Sequence, residues 1–369
     1  MDQEPYIADH PPRYPDRLID AIRWRPQMYV GATDGWGCLH VVAEMIHACL
    51  DEFIAGQGTL IRVTQTRDGW TEVSDDGEGV RVDTPPEFGG RTFLEVALTE
   101  LWARGFRSSK CDFQIMAIAV ASGAEFHIET HREGRCYRME FTQGAISRPF
   151  EDRGPSTGRG TVMRWRPDPT IFGLHTVDVI LLRRDLDVMA AVHPGLRILF
   201  TDEARGESST ILFPGGCVDL LRSRDVAQAA LYPAISMQIE CGDVQFDVAF
   251  LHSNTRESRL RSYVNGGPTE GGSHVRGFLT GAASCLREVG ANTKFLSDAE
   301  TFTLGLTAEL SVVCENAQYE GPTRSVLHSP KIESFIAQQV HERLRVLLTE
   351  HPTLRDEILS HLAKIQRVS

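Results

Sequence analysis

Two clusters of ionisable residues within the first eighty positions have the types and spacing that chemistry requires. His40, Glu44, His47 and Asp51 recur at intervals of four, three and four residues, which at about 100° per residue puts all four on one helix face. A carboxylate with a histidine one turn before it has the make-up of a general base: the imidazole holds the carboxylate and tunes its proton affinity while the carboxylate deprotonates a water. The same face reads also as a solvated helix surface, and as a set of metal ligands it has no second cluster to complete it. The other cluster is Asp75-Asp76-Gly77-Glu78-Gly79. Glycines there let a ligand approach the backbone, while a carboxylate at the end of a strand accepts a hydrogen bond from an exocyclic amine. Ordinary hairpin turns carry the same D-x-G-x-G pattern.

The elements that position these residues can be read from periodicity. From Tyr14 to Ile54 the pattern is helical, interrupted at Arg25-Pro26 and by a glycine-rich turn from Gly31 to Gly37, and it resumes as an amphipathic helix from about Leu39, with Leu39, Val42, Ile46, Leu50 and Phe53 as its core stripe. Strands over Leu60 to Thr66 and Trp70 to Val73 flank the turn Arg67-Asp68-Gly69, and the second strand runs into the D-x-G-x-G loop. A helix from Thr92 to Ala103 and an apolar run from Ile115 to Ala121 precede a meander of Glu125 to Thr130, Cys136 to Phe141 and Gly160 to Trp165. Helices alternating with an antiparallel sheet indicate an α+β sandwich. A domain boundary is expected near Pro214-Gly215-Gly216, giving domains 1–215 and 216–369. Beyond it come strands Ala234 to Glu240 and Val244 to Leu251, a helix from about Ser273 to Glu288, a strand around Leu304 to Val313 and a helix from Ile332 to Glu350.

Composition narrows the function classes. A chain of 369 residues with 41% hydrophobic content can fill two cores. No run approaches the roughly 18 apolar residues of a membrane span, and the polar, proline-rich start lacks an apolar signal core, so a cytoplasmic location without membrane association is expected. The eight cysteines are scattered with no C-x-x-C pair, which signals neither a disulfide framework nor a metal site. A formal charge of −12 argues against a general nucleic-acid coat, while leaving room for a local basic patch in contact with DNA.

Taken in order, the segments resemble the amino-terminal region of DNA gyrase B and of its topoisomerase IV counterpart, within the wider GHKL group of ATP-binding proteins. The resemblance rests on Arg25-Pro26-Gln27-Met28-Tyr29-Val30-Gly31, Leu39-His40, Glu44, Leu50 through Gly56 and the D-x-G-x-G loop. It continues through His131-Arg132-Glu133-Gly134-Arg135, Arg159 through Pro167, Val264-Asn265 through Glu270-Gly271-Gly272-Ser273-His274, and Gly305-Leu306-Thr307-Ala308, and so covers nearly the whole chain. It implies a GHKL (Bergerat) ATP-binding α+β sandwich followed by a ribosomal-S5-like transducer domain. Carried over, Glu44 is the general base and His40 its partner; Asp75 binds the adenine amino group, and Gly77 and Gly79 shape the pocket. Thr161 supports the adenine through a water and Arg132 lies at the rim, while Val73, Val80, Met45 and Met163 form apolar walls.

Departures from the family pattern concentrate on the phosphates. The position of the Mg²⁺-holding asparagine is Ala48, which offers no oxygen to a cation that prefers an octahedral oxygen shell. The glycine-rich lid motif is replaced by Arg104 through Gln114 in a shortened segment, and a glutamine–threonine–lysine trio becomes Pro322-Thr323-Arg324, in which Arg324 keeps the charge but not the point contact. The arginine of the D-x-G-x-G loop is Glu78, while its carboxylate partner persists as Glu52, so an attractive pair turns repulsive unless a proton or another cation intervenes. The expectation is an ATP- or adenine-compound-binding protein with little use of Mg²⁺ and weak or absent hydrolysis, acting as a dimeric clamp or regulatory module. Without a cleavage domain or a tyrosine-bearing partner region it is expected not to cut DNA alone. Two alternatives are an enzyme using the His40–Glu44 dyad for metal-independent acid–base chemistry on a small molecule, and a decoy that pairs with true gyrase proteins.

Overall fold

A computed structural model describes residues 17–100, 116–224, 230–290, 299–315, 317–321 and 325–367. The chain divides into two compact units, Met1–Leu186 with Leu196–Ile211, and Asp187–Gly195 with Leu212–Ser369.

In the first unit, helices α1 (Leu18–Trp24), α2 (Gln27–Val30) and α3 (Gly35–Ile54) lead to strands β1 (Leu60–Gln65) and β2 (Thr71–Asp75). Helices α4 (Phe93–Thr99) and α5 (Met116–Ser122) precede β3 (Gly123–Arg132), β4 (Arg135–Thr142), β5 (Ala145–Pro155) and β6 (Gly160–Pro167). Then follow α6 (Pro169–Phe172), α7 (Val179–Val192), whose residues from Asp187 on belong to the second unit, β7 (Arg197–Asp202) and β8 (Glu207–Ile211). Among the described residues these eight strands form one sheet in the order β5-β4-β3-β6-β2-β1-β7-β8. Neighbours are antiparallel except β1 and β7, which run parallel. The sheet is therefore mixed rather than purely antiparallel, and the architecture is α+β.

The register of this sheet explains where its core ends. Met139, Ile128, Met163, Val73, Val63 and Phe200 are direct cross-strand partners in one row, and all six are buried. Each such side chain withdrawn from water contributes about 1.5–3 kcal/mol. Because side chains two apart on a strand share a face, the next row on that face holds Thr130, Thr161 and Asp75. These are 0%, 3% and 6% exposed. Three polar residues thus continue an apolar surface, at positions where packing alone would select valine or isoleucine.

Helix α3 packs across β1, β2 and β6. It begins earlier than expected: Asp34 accepts hydrogen bonds from the Trp36 and Gly37 N–H groups, at 2.9 and 3.4 Å, so Gly35 and Gly37 belong to the first helical turn rather than to a loop. Gly37 is required there, because a Cβ would lie 1.9 Å from the Ala32 carbonyl oxygen. The buried surface of α3 is also wider than one stripe. Cys38, Val41, Met45 and Cys49 are as buried as Leu39, Val42, Ile46 and Leu50, while Phe53 is half-buried. A helix covered on two sides needs two apolar rows, and Phe53 lies at its fraying end.

In the second unit, α8 (Cys217–Ser223) precedes β9 (Ile235–Cys241), β10 (Val244–His252), β11 (Arg259–Val264), β12 (Gly267–Thr269) and β13 (Gly271–Gly272). They are followed by α9 (Ser273–Val289), α10 (Ala299–Thr303), β14 (Leu306–Val313), β15 (Val326–Leu327), α11 (Pro330–Glu350) and α12 (Pro352–Arg367). Five of these strands pair in the order β12-β11-β14-β10-β9 among the described residues. Helices α9 and α11 pack closely because α9 presents Gly277 and Gly281 to its neighbour: a Cβ at Gly281 would stand 2.4 Å from the Ala337 carbonyl oxygen. No helix among the described residues is long and apolar enough to cross a membrane.

Candidate functional site

The polar row at the end of the β2–β6–β3 surface is tied into the D-x-G-x-G loop. Asp75 accepts from the Gly77 N–H at 2.8 Å and is hydrogen-bonded also by the Thr161 backbone and the Cys49 thiol. The Thr161 and Thr130 hydroxyls lie 3.4 Å apart, and the Thr130 hydroxyl accepts from the Val80 N–H at 2.8 Å. Burial pushes the Asp75 carboxyl up to about 6, against the opposing pull of these donors. Its neighbour Asp76 has a different task. It accepts from the Thr59 and Leu60 N–H groups at 2.7 and 2.9 Å and from the Thr59 hydroxyl at 3.1 Å, which fastens the loop to the start of β1.

The loop glycines are demanded by close backbone approach. A Cβ on Gly77 would lie 2.5 Å from the Glu52 carboxylate, and one on Gly79, whose φ is +81°, would lie 2.7 Å from the His131 carbonyl oxygen. Gly160, at the start of β6 with φ +84°, abuts the Asp75 carbonyl oxygen in the same way, at 2.2 Å.

The two carboxylates at the loop are separately compensated. Glu52 accepts from the Glu78 backbone N–H at 2.9 Å. The Glu78 side chain faces Arg132, whose guanidinium lies 3.6 Å from it, 3.6 Å from Glu133, and donates to the Gly79 carbonyl at 2.7 Å. Arg132 is thus the cation that intervenes where the sequence alone sets glutamate against glutamate.

On α3, the His40 Nε2 lies 3.8 Å from the Glu44 carboxylate. The Glu44 side chain is only 17% exposed against 44% for His40, so this is not a uniformly solvated face. Desolvation lowers the proton affinity of both His40 and His47; a backbone hydrogen bond at Tyr29 partly offsets this for His40, and the Glu44 charge does so for His47. Glu44 precedes Cys49, the thiol bound to Asp75, by five residues, about 7.5 Å along the helix axis.

The structure therefore gathers Asp75, Gly77, Gly79, Thr161 and Arg132 into one hydrogen-bonded group. Val73 and Met163 are cross-strand partners beside it, buried with Met45, and Val80 is half-buried. The dyad sits on the helix packed above. Arg324 and the segment 104–114, with Arg107 and Lys110, lie outside the described residues. Two participants were not singled out in the sequence: Thr130 and Cys49. The signal for Thr130 was its place in the alternation Phe126, Ile128, Thr130, where a hydroxyl stands at an apolar position.

Comparison with known proteins bears on the family and the fold. Residues 216–368 match the family model described as DNA gyrase B. The DNA gyrase B protein of Thermotoga maritima is 32% identical over 366 residues, covering 93% of this chain, and that of Thermus thermophilus 30% identical over 353 residues, covering 91%. The chain spans 57% and 56% of the length of these two relatives. Among solved structures, the 43K ATPase domain of Thermus thermophilus gyrase B, in complex with an aminocoumarin, superimposes with a TM-score of 0.80 at 28% identity over 94% of both chains. The gyrase B protein of Myxococcus xanthus, at 24% identity, shares the fold with a TM-score of 0.79 over 94% of this chain and 99% of that one. The chain belongs to the DNA gyrase B family, as a counterpart of that protein's ATPase-domain region.

Proposed function

We propose that the chain binds ATP or a related adenine compound in a gyrase B-type site and hydrolyses it weakly or not at all. The observation that carries the binding half is the buried Thr130–Thr161–Asp75 row, where a core surface ends in one carboxylate and two hydroxyls beside glycines that leave no room for a Cβ. An adenine ring suits such a place: its faces match the apolar walls of Val73 and Met163, and its amino group donates to Asp75. Thr161 and Thr130 would hold a bridging water, and Arg132 would border the ligand. The hydrolysis half rests on Ala48. One turn after Glu44 the helix presents a methyl group where the resemblance implies a magnesium-binding oxygen. Phosphoryl transfer depends chiefly on positioning and charge neutralisation, so a base without the metal anchor has little to act on.

A second reading is favoured by the low exposure of Glu44 beside His40, which suits metal-independent proton transfer on another small molecule. Both readings use the same pocket. Equilibrium binding of adenosine and of ATP tests the shared element: Asp75→Asn should weaken each by about 1–3 kcal/mol, the cost of a lost hydrogen bond to a charged group. Equal affinities in the two proteins would remove Asp75, and with it the adenine assignment.

A further inference from the structure

A second constellation occupies the other face of β3. Glu129 and His131, two apart on the strand, point away from Thr130, and Cys136 on β4 is the direct cross-strand partner of His131. The turn between them, Glu133-Gly134, has both residues at positive φ, 53° and 75°, as a tight two-residue hairpin needs, and this fixes the register that sets His131 against Cys136. A carboxylate oxygen of Glu129, a ring nitrogen of His131 and the Cys136 sulfur all lie within 4.8 Å of one another. The Glu129 oxygen is 3.1 Å from the His131 Nε2.

We propose that Glu129, His131 and Cys136 form a binding site for a divalent transition metal of the zinc class, with a fourth position open to water. Tetrahedral zinc with bonds of about 2.0–2.3 Å holds its ligand atoms roughly 3.3–3.8 Å apart, so small side-chain rotations suffice. The site also has the outer support that metal-bound histidines have. The His131 Nδ1 lies 2.8 Å from the Ser156 hydroxyl oxygen, which accepts in turn from the Gly158 N–H at 3.0 Å. Gly158 leaves room for the ring; a Cβ there would stand 2.9 Å from Nδ1. Nearby cations are already engaged: Arg138, opposite Glu129, pairs with Glu140, and Arg153 lies 3.5 Å from Glu151.

Proton bookkeeping is simple. Without metal, the His131 Nε2 faces the Glu129 carboxylate and the Cys136 thiol donates to Glu129; burial, with the Glu129 charge, raises the thiol's hold on its proton. A metal at Nε2 would leave the His131 Nδ1–H to donate to Ser156, and Cys136 would bind as the thiolate, its proton released to solvent. The thiolate also separates this site from Mg²⁺, which prefers hard oxygen ligands. The proposal is independent of the nucleotide reading.

The test is titration of the reduced full chain with Co²⁺, followed by absorption. We expect one equivalent bound with a thiolate-to-cobalt charge-transfer band, displaced by Zn²⁺. The band should vanish in Cys136→Ser, and affinity should fall about tenfold or more in His131→Ala and in Ser156→Ala. No band with folded protein, or a band that survives Cys136→Ser, would overturn the proposal. Should a variant not fold, alkylation of Cys136 in the unaltered protein, mapped by mass spectrometry, decides: Zn²⁺ should slow it at least about tenfold, and an unchanged rate would refute the site.

Discussion

At the scale of single residues, the buried carboxyl of Asp75 opposes folding at neutral pH. Its carboxyl is lifted from 3.8 to about 6 by burial. The protonated form is the one the folded state prefers, so stability is greatest below pH 3.8, declines as pH rises toward 6, and is then constant. The loss at neutral pH is about 3 kcal/mol. Asp75→Asn should therefore stabilise the ligand-free protein against thermal unfolding at pH 7.5, with about half of that gain remaining at pH 5. A variant less stable than the parent at pH 7.5 would mean that the carboxylate is structural. The position of Asp75 at a strand end before two glycines foreshadows its place in the buried row and its bond to the Gly77 N–H. Thr130 is marked only by a hydroxyl in the apolar alternation Phe126, Ile128, Thr130, a weak signal, because a threonine in a strand is ordinary until register sets it opposite Thr161. The pairing of Glu78 with Arg132 was equally hidden, since 54 positions separate two residues that only the sheet brings together.

Among the elements, strong periodicity marks the central ones, while those at the sheet margins carry little local signal. The helix α9 and the strands β3, β4 and β6 follow alternation or helical spacing closely. Strand β5 gives no strand signal in the sequence because it contains Pro149 and several charges, which a central strand does not tolerate; it lies at the sheet edge, where they are allowed. The parallel pairing of β7 with β1 was invisible for another reason, since no local turn signals a partner so distant in sequence. The same sheet yields a prediction about the pocket's scaffold. Gly160→Ala must move the backbone of β2 away from a Cβ 2.2 Å from the Asp75 carbonyl, in addition to straining a φ of +84°. It should cost about 2–4 kcal/mol of stability. Gly134→Ala, at φ +75° with open space around it, should cost only about 1–2 kcal/mol. Denaturant unfolding of the two variants would separate them, and equal losses would contradict the close approach of β6 and β2.

For the molecule as a whole, the family and the α+β fold were legible because an ordered series of segments runs through almost the entire chain, and 32% identity to a gyrase B protein agrees with it. The ligand was less legible, since a binding pocket and a hydrolytic centre share most of their residues and differ in a few phosphate contacts. On the proposed reading, this chain keeps the adenine site and lacks the metal anchor. Calorimetric titration of the full chain with ATP, in chelator and in Mg²⁺, with phosphate release followed in the same samples, tests it most directly. Saturable binding is predicted, with affinities within about threefold of each other in the two conditions, and phosphate release no faster than in Glu44→Gln. An absence of ATP binding, or Mg²⁺-dependent turnover that Glu44→Gln abolishes, would contradict it.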